Sequence, residues 1–367
     1  YQLSSQFAGR GMGLIIGNLL NREFPQVYVA NDETANFLLE YDPQSETLED
    51  RSLICGGAAD RFGATLGSMG IAAGDADRNG LPDLFVTNYY SQANTLYVQA
   101  AGGQFADRTS EFRLLIPGYA MLGFGCQFAD FDADGDDDLF VANGHLDDFR
   151  FRGHPWKMRP QLFCNNGRGA FSEVAFGAVA ANGSEGLRVS DRKSSADYFQ
   201  QEVLGRAVAL LDWNQDGATD IVVTHLDRPA ALLSNHSVSP NSADTVTFRL
   251  SGTHSPRRPI GAVVRRTDNP ADAAWLWSGN GYECSSEPTL RLCVPHPDSS
   301  GASSGQSHSE SSGRGTAWTI TWPSATSAGS EEVRTQHVTV SAISETEEHS
   351  AGLVVIEGRN RVYRIPR

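Results

Sequence analysis

Short runs of apolar residues, separated by polar and glycine-containing turns, recur along the first two thirds of the chain. Each unit has an apolar strand, an acidic turn and a second strand that is rich in β-branched or aromatic residues. The segment SMGIAAGDADRNGLPDLFVTN, residues 68–88, shows the pattern most fully. This pattern predicts a β-hairpin and not two helices that flank a loop.

The hairpin unit occurs four times in one register. The four segments span residues 11–31, 68–88, 123–143 and 205–225. Their turns begin at Asn18, Asp75, Asp130 and Asp212, with spacings of 57, 55 and 82 residues. Further short strands follow at comparable offsets, so each unit has about four strands in roughly 55 residues. The sequence therefore predicts an all-β fold built from β-propeller blades.

The predicted domain boundaries follow from this repeat and from the change of pattern after it. We assign residues 1–238 to the propeller, with blades at about 10–60, 67–115, 122–180 and 204–238. Residues 239–367 contain new strand patterns without an acidic turn, and we expect a small β domain there. Within it, residues 298–315 are almost wholly Ser, Gly and polar, which predicts a flexible loop.

The four repeats do not fix the number of blades. Four blades are few for a propeller, and the repeat already runs by Gly11. We therefore expect a larger propeller whose first blades, together with any signal peptide, precede Tyr1.

Composition and charge narrow the range of functions. The 367 residues include 37 glycines and 4 methionines, and the formal net charge is -15. Nucleic-acid binding is not expected, because phosphate groups are bound by clustered Lys and Arg that this chain lacks. No window has the ~18 uncharged apolar residues that a membrane-spanning helix needs. Cys284 and Cys293 are close enough in sequence for a hairpin disulfide, and free thiols are the alternative for all five cysteines.

The acidic turns carry the candidate chemistry. A hard dication such as calcium takes about six to eight oxygen ligands, and a tight turn supplies them when alternate side chains point inward. We predict side-chain ligands at turn positions one, three, five and nine, and a backbone carbonyl at position seven. The predicted metal ligands are Asp75, Asp77, Asn79, Leu81 and Asp83 in the second repeat, Asp130, Asp132, Asp134, Asp136 and Asp138 in the third, and Asp212, Asn214, Asp216, Ala218 and Asp220 in the fourth.

The acidic turns have two alternative interpretations, an EF-hand loop and a metal-free Asx-rich turn. An EF-hand is rejected because position twelve is valine instead of a bidentate Glu, and because strands flank the turn. A metal-free Asx-rich turn is a serious alternative for one copy, but three copies in one register favour about three Ca²⁺ sites. The first repeat lacks the ligands and is predicted to bind no metal, since Asn18, Leu20, Arg22 and Gln26 stand in their places.

These residues resemble known families. The pattern DxDxDGxxD, with Phe124-Gly125 leading into one copy, resembles the FG-GAP/VCBS-type repeat of integrin-α-like propellers over roughly residues 10–235. The following region is similar to the ASPIC/UnbV domain of the cartilage acidic protein family, through Arg258-Pro-Ile-Gly-Ala-Val-Val, Ser278-Gly-Asn-Gly-Tyr and Thr321-Trp-Pro-Ser. The resemblance implies an exported calcium-binding protein, extracellular, periplasmic or on the cell surface. Adhesion, or binding of a protein or glycan ligand of the cell surface or matrix, is the implied function.

A catalytic motif is not evident. The chain has no GxSxG, no HExxH and no strand-loop-helix phosphate site, so we predict a binding module and not an enzyme. A lyase or hydrolase acting on polysaccharide or glycoconjugate through residues 145–157 is the alternative. That segment lies in an insertion where recognition residues are often displayed, although a solvated loop without a ligand is equally compatible with it. His145 and His225 follow equivalent strands and are predicted to be surface histidines.

Overall fold

The computed structural model describes most of the chain. The described residues are 8–175, 198–237, 245–293, 316–323, 334–340, 350–359 and 362–366. Within these ranges the regular structure is almost entirely β-strand, so the predicted all-β class is confirmed. The predicted flexible loop at 298–315 lies outside the described residues. The domain boundaries given above remain predictions.

Four antiparallel sheets follow one another along the first part of the chain. The first has β1 (Gly11–Gly17), β2 (Gln26–Asn31), β3 (Phe37–Asp42) and β4 (Thr47–Asp50). The second has β5 (Ser68–Gly74), β6 (Asp83–Asn88), β7 (Thr95–Ala100) and β8 (Gln104–Asp107). The third has β9 (Gly123–Ala129), β10 (Asp138–Asn143), β11 (Gln161–Asn165) and β12 (Phe171–Glu173). The fourth has three described strands, β13 (Gly205–Leu211), β14 (Asp220–His225) and β15 (Ala231–Leu233).

Short helical turns connect these sheets. Helix α1 (Ser52–Cys55) lies between the first and second sheets, and α2 (Leu115–Tyr119) lies between the second and third. A 3-10 helix at Arg150–Arg152 follows β10. In every one of these sheets, strands that are neighbours in sequence pair antiparallel, which is the meander expected of a propeller blade.

Successive sheets pack face to face through apolar side chains. Ile15 and Tyr28 of the first sheet share a core with Ile71 and Tyr97 of the second. Equivalent cores join the second sheet to the third and the third to the fourth. Because neighbours cover both faces of the second sheet, every residue of β5 and of β6 is buried. This explains why β5 is an apolar run without polar alternation.

Glycine at the third position of the first strand permits this close packing. A Cβ at Gly13 would collide with the carbonyl oxygen of Met69 in the next sheet, and one at Gly70 would collide with that of Phe124. A Cβ at Gly125 would lie 2.5 Å from the carbonyl oxygen of Arg206. The glycine that recurs in the repeat is therefore a contact between sheets, where the backbone of the next sheet leaves no room for a side chain.

The remaining strands form a two-sheet sandwich, which we call the C-terminal sandwich. One sheet has the order β19 (Leu290–Cys293), β16 (Thr245–Ser251), β22 (Ser350–Ile356) and β23 (Val362–Pro366). The other has the order β18 (Ala273–Trp275), β17 (Val263–Arg266), β20 (Thr316–Trp322) and β21 (Arg334–Val340). Strands β16 and β22 run parallel. The core between the sheets is centred on Trp318, whose ring lies edge-on to Phe248 at 5.3 Å between centroids.

An irregular stretch of the sandwich, residues 276–289, lies along the first strands of all four propeller sheets. We call it the central segment. Ser278 and Ile16 of β1 exchange both backbone hydrogen bonds, at 2.8 and 2.9 Å. Gly281 and Ile71 of β5 do the same, at 2.6 and 3.1 Å. The central segment thus extends the first two sheets by one bridge each.

The third and fourth sheets are held by the same segment. Asn280 Nδ2 donates to Gln127 Oε1 of β9 at 2.7 Å, and Gln127 Nε2 donates back to the Asn280 carbonyl at 3.1 Å. The Glu287 amide donates to the Leu210 carbonyl of β13 at 2.8 Å. One stretch of fourteen residues therefore contacts all four propeller sheets.

None of the five cysteines is in a disulfide, so the hairpin disulfide between Cys284 and Cys293 is not formed. The Cys284 thiol donates to the Val208 carbonyl of the fourth sheet at 3.0 Å. The Cys293 thiol donates to the Ala133 carbonyl of the third sheet at 3.2 Å. The two thiols therefore have their hydrogen-bond partners in different sheets.

Candidate cation-binding loops

The turns between the first and second strands of the four propeller sheets share part of their backbone conformation. We number these turns loop 1 (18–26), loop 2 (75–83), loop 3 (130–138) and loop 4 (212–220). Position four is left-handed in every loop, with φ of 53° at Asn21, 57° at Arg78, 61° at Ala133 and 58° at Gln215. Position six of loops 2 to 4 is a glycine with φ between 79° and 92°. The predicted sharp turn at glycine is therefore present, and it follows a second left-handed residue that the sequence did not reveal.

The first carboxylate of each acidic loop organises the turn. Asp75 Oδ1 accepts the Asn79 amide at 3.0 Å, and its Oδ2 accepts the Gly80 amide at 2.7 Å. Asp130 and Asp212 make the same pair of hydrogen bonds in loops 3 and 4. These contacts turn the side chain into the loop, where its free lone pairs face the other ligands.

The ninth-position carboxylate joins the loop to the third strand of its sheet. Asp83 Oδ2 accepts the Ala76 amide at 2.8 Å, and Oδ1 accepts the Gln99 amide at 2.7 Å. Asp138 and Asp220 do the same in their own sheets. Position nine was predicted only as a ligand, but it also fixes the loop on the sheet.

Loops 2 and 3 bring their carboxylates together. Ligand atoms of Asp75, Asp77 and Asp83 all lie within 4.8 Å of one another. So do those of Asp130, Asp132 and Asp134 in loop 3. In loop 4 the carboxylates are not gathered into such a triad, and Asn214 Nδ2 donates to Asp216 Oδ2 at 2.7 Å. The carboxylates therefore converge in two of the three predicted sites, and all three sites stay predictions.

Two side chains at loop 3 make contacts that the sequence did not predict. The Cys164 thiol of β11 lies within 4.8 Å of Asp132 and Asp138 oxygens, although no motif marks it. The Asp136 carboxylate faces Arg78 of loop 2, with Nη1 to Oδ1 at 3.0 Å. The side chain at position seven of loop 3 thus pairs with Arg78, and coordination through the backbone carbonyl of this position stays a prediction. Leu81 and Ala218 occupy this position in loops 2 and 4.

Burial and mutual repulsion shape the electrostatics of these loops. Burial first, and then neighbouring carboxylates, raise the pKa of Asp75 to about 7, of Asp130 to about 8 and of Asp138 to about 9. In loop 4, burial raises the pKa of Asp212, and the nearby Arg291 opposes this rise. Close carboxylates in a buried turn need a compensating positive charge, and a divalent cation supplies it. The donor set of loop 2 is entirely oxygen, which fits a hard cation such as Ca²⁺.

Loop 1 shares the left-handed residue at position four, but its sixth residue, Glu23, has no positive φ, and neutral amides replace the first and ninth carboxylates. Asn18 Oδ1 accepts the Arg22 amide at 2.9 Å, as the first carboxylate does in the other loops. Gln26 Oε1 accepts the Leu19 and Leu20 amides at 2.9 and 3.0 Å, in place of the ninth carboxylate. The turn is therefore held by amides that have no charge to neutralise.

His145 and His225 lie at or just after the end of the second strand of their sheets, away from the loops, and they contact different residues. His145 is fully buried, so its prediction as a surface histidine is wrong. Its ring lies edge-on to Tyr89 at 5.4 Å, and its Nδ1 is 3.3 Å from the Asp147 amide. His225 Nε2 lies 2.9 Å from the Tyr198 hydroxyl. Each histidine thus has its own partners.

Comparison with known proteins agrees with the loop geometry. Residues 75–141 match the FG-GAP-like repeat. The match begins at the first residue of loop 2 and ends within β10 of the third sheet. The predicted FG-GAP repeat is therefore confirmed for this stretch.

Two similar proteins cover more of the chain. Cartilage acidic protein 1 of Xenopus tropicalis is 23% identical over 330 residues, which is 79% of this chain and 50% of that protein. The chain thus spans about half the length of this curated relative. A solved structure concerns specific recognition of non-reducing terminal N-acetylglucosamine by an Agrocybe aegerita lectin. Its TM-score is 0.31 at 14% identity, covering 61% of this chain and 53% of that one, and it carries no weight for the ligand of this chain.

Among the residues that the structure describes, no helix has the length and apolar character to cross a lipid bilayer.

Proposed function

We propose that this chain is a calcium-binding, propeller-based module that binds a partner outside the cytoplasm, and that it is not an enzyme. The convergence of three carboxylates in loop 2, and again in loop 3, supports the calcium part of the proposal. Their oxygens already accept backbone amides that hold them in place, so a cation would enter a turn that is formed beforehand. Loop 4 is the third and weaker site.

The role of the cation in this proposal is structural. Ca²⁺ would neutralise buried carboxylates and so stabilise the folded chain in proportion to its occupancy. Such sites in extracellular modules bind with dissociation constants of about 10⁻⁴ to 10⁻³ M, which suits a compartment of constant calcium supply. The likeness to cartilage acidic protein 1 and the FG-GAP-like repeat support a location at the cell surface, in the matrix or in the periplasm. They also support the ASPIC/UnbV assignment of residues 239–367.

A protein or glycan of the cell surface or matrix is the proposed partner, and the segment 145–157 is the proposed contact. The Arg152 guanidinium lies 5.5 Å from the ring centre of Phe149 and 5.4 Å from that of Phe151. Phe151 is 76% exposed, and Arg150 lies 5.3 Å over the Trp156 ring. Exposed aromatic rings with stacked guanidinium groups are common at binding surfaces.

Calorimetric titration of the metal-free chain with Ca²⁺ tests the metal sites. We expect two or three binding events in the wild type, and the double variant Asp77→Asn/Asp132→Asn to lose two. Asparagine keeps the oxygen that accepts the Asn79 or Asp134 amide, so the turns should persist without the charge. Asp42→Asn, the same change in the exposed β3–β4 turn, is the matched control. A wild type that binds no Ca²⁺ at millimolar concentration would contradict the proposal.

A further inference from the structure

The C-terminal sandwich contacts each of the four loops. At loop 2, Arg265 Nη1 donates to the Gly80 carbonyl at 2.9 Å. At loop 3, the Cys293 thiol donates to the Ala133 carbonyl. At loop 4, Glu287 Oε2 accepts the Asp212 amide at 3.2 Å. Loop 1 packs against Gly261, where a Cβ would lie 3.1 Å from Pro25. The face that would hold the cations is therefore also the face on which the sandwich is docked.

Arg78 connects two loops and the sandwich through a single guanidinium. Nη1 lies 3.0 Å from Asp136 Oδ1 of loop 3, and Nη2 lies 3.0 Å from Asp272 Oδ1 of the sandwich. Both carboxylates are buried, and Asp272 also pairs with Arg266 at 2.8 Å. Arg78 itself belongs to loop 2, at the left-handed position four. Its planar fork can satisfy both partners only when loop 2, loop 3 and the sandwich are all in place.

Loops 2 and 3 are also joined directly. Asp137 Oδ2 accepts the Asp75 amide at 2.8 Å, so the first residue of loop 2 is held by a carboxylate of loop 3. Asn165 Nδ2 donates to the Ala76 carbonyl at 2.9 Å and to that of Asp137 at 3.2 Å. A change in the position of either loop is therefore transmitted to the other and to Arg78.

We propose that cation binding in loops 2 and 3 and docking of the C-terminal sandwich are thermodynamically coupled, with Arg78 as the positioning residue. The coupling rests on the calcium sites of the proposed function. Arg78 reaches Asp136 and Asp272 together only when loops 2 and 3 are in place. Neutralising the close carboxylates would favour that arrangement of the two loops, and with it the pairing of the guanidinium with the sandwich. Linkage is reciprocal, so docking must raise cation affinity by the factor by which the cation strengthens docking.

Two measurements on the full chain test the coupling. The first is amide hydrogen exchange in the central segment, which reports docking at Ser278 and Gly281, with Ca²⁺ and with chelator. The second is calorimetric Ca²⁺ affinity of the wild type and of Asp272→Asn. We expect slower exchange with Ca²⁺ in the wild type. We expect roughly fivefold weaker Ca²⁺ binding in the variant, at the low end of common coupling factors.

The control variant is Glu111→Gln, which breaks the exposed ion pair with Arg61 far from the loops and should leave both readouts unchanged. Arg78→Gln removes the same link from the other side and replaces Asp272→Asn if that variant does not fold. A wild type that binds Ca²⁺, with central-segment exchange independent of Ca²⁺ and unchanged affinity in both variants, would overturn the coupling alone. A wild type that binds no Ca²⁺ would overturn the proposed function and the coupling together.

Discussion

At the scale of single residues, the most completely hydrogen-bonded carboxylate of the C-terminal sandwich is Glu357. Its Oε2 accepts three successive amides, those of Thr253, His254 and Ser255, at 2.7 to 2.9 Å. Its Oε1 accepts the Ser255 hydroxyl at 2.9 Å. Burial by itself would raise the pKa of this group, but the donated hydrogen bonds outweigh it and hold the pKa at about 2. The ionised form is therefore the one that the fold stabilises.

The pH dependence of Glu357→Gln should show this contribution. The folded pKa lies below the unfolded value of about 4.3, so the stabilisation is present above that pH and is lost as pH falls through 2. We expect the variant to lose about 2 to 3 kcal/mol at pH 7 and to approach the wild type below pH 3. Chemical denaturation at pH 7 and at pH 3 measures the free energy of unfolding of the variant and the wild type. Glu46→Gln in the β3–β4 turn is the control. An equal deficit at pH 7 and pH 3 would contradict the charge explanation.

The sequence predicted the side chains whose partners lie within the same turn. The ligand positions of loops 2 and 3 were predicted because their spacing is visible in a run of nine residues. Arg78 was not singled out, since its partners Asp136 and Asp272 are 58 and 194 residues away. The position of Cys164 beside Asp132 and Asp138 was also not predicted, because it depends on the register of β10 and β11 and not on a motif.

At the scale of elements, loop 1 is an internal control for the acidic loops. It shares the left-handed fourth residue and the hydrogen bonds donated by the amides of positions two and five, but its acceptor side chains are amides that need no cation. We therefore expect chelation to increase amide exchange at least several-fold in loops 2 and 3, at Asn79, Gly80, Asp134 and Gly135, and to leave Arg22 of loop 1 unchanged.

Exchange measured by NMR or mass spectrometry on one sample gives both results together. Equal acceleration in loop 1 would show that chelation destabilises the whole sheet stack and not the acidic loops. Equal protection in all loops with and without Ca²⁺ would show that the backbone hydrogen bonds alone are enough to hold these turns.

The strands were predicted well, and the connections between them were not. Hairpins such as β5–β6 follow from an apolar run, a turn and a second apolar run, all of which are local. Helices α1 and α2 were not predicted, because four or five residues carry too little periodicity. The central segment was quoted only as a short motif. Its irregular backbone pairs with strands more than 200 residues away, as at Ile16 and Ser278, and no local pattern encodes such pairing.

At the scale of the whole molecule, the central segment makes the four sheets one assembly, and Gly281 is one of its tightly packed positions. Its φ is 111°, and a Cβ there would lie 2.7 Å from the Cys284 sulfur and 2.8 Å from Gln127 Nε2. These atoms belong to the central segment and to β9, so neither can move without disturbing a sheet.

Gly281→Ala should therefore reduce global stability by about 3 kcal/mol or more, from left-handed strain and overpacking combined. Gly102→Ala is the matched control, since its φ is 89° and nothing lies within 4 Å of an added Cβ. That variant should lose only about 1 kcal/mol. Thermal or denaturant unfolding of both variants compares them. Similar losses would mean that the central segment yields to the methyl group and does not constrain the sheets.

The parallel pairing of β16 with β22 has a consequence for the order in which the protein is made. Each propeller sheet pairs strands that are adjacent in sequence, so it can close as soon as its own residues have left the ribosome. Strand β16 lies between β19 and β22, and it has to wait about a hundred residues for its parallel partner β22. The central segment emerges during that interval. Its binding sites on the first strands of the four propeller sheets are synthesised earlier than the last strands of the two sheets that hold its ends.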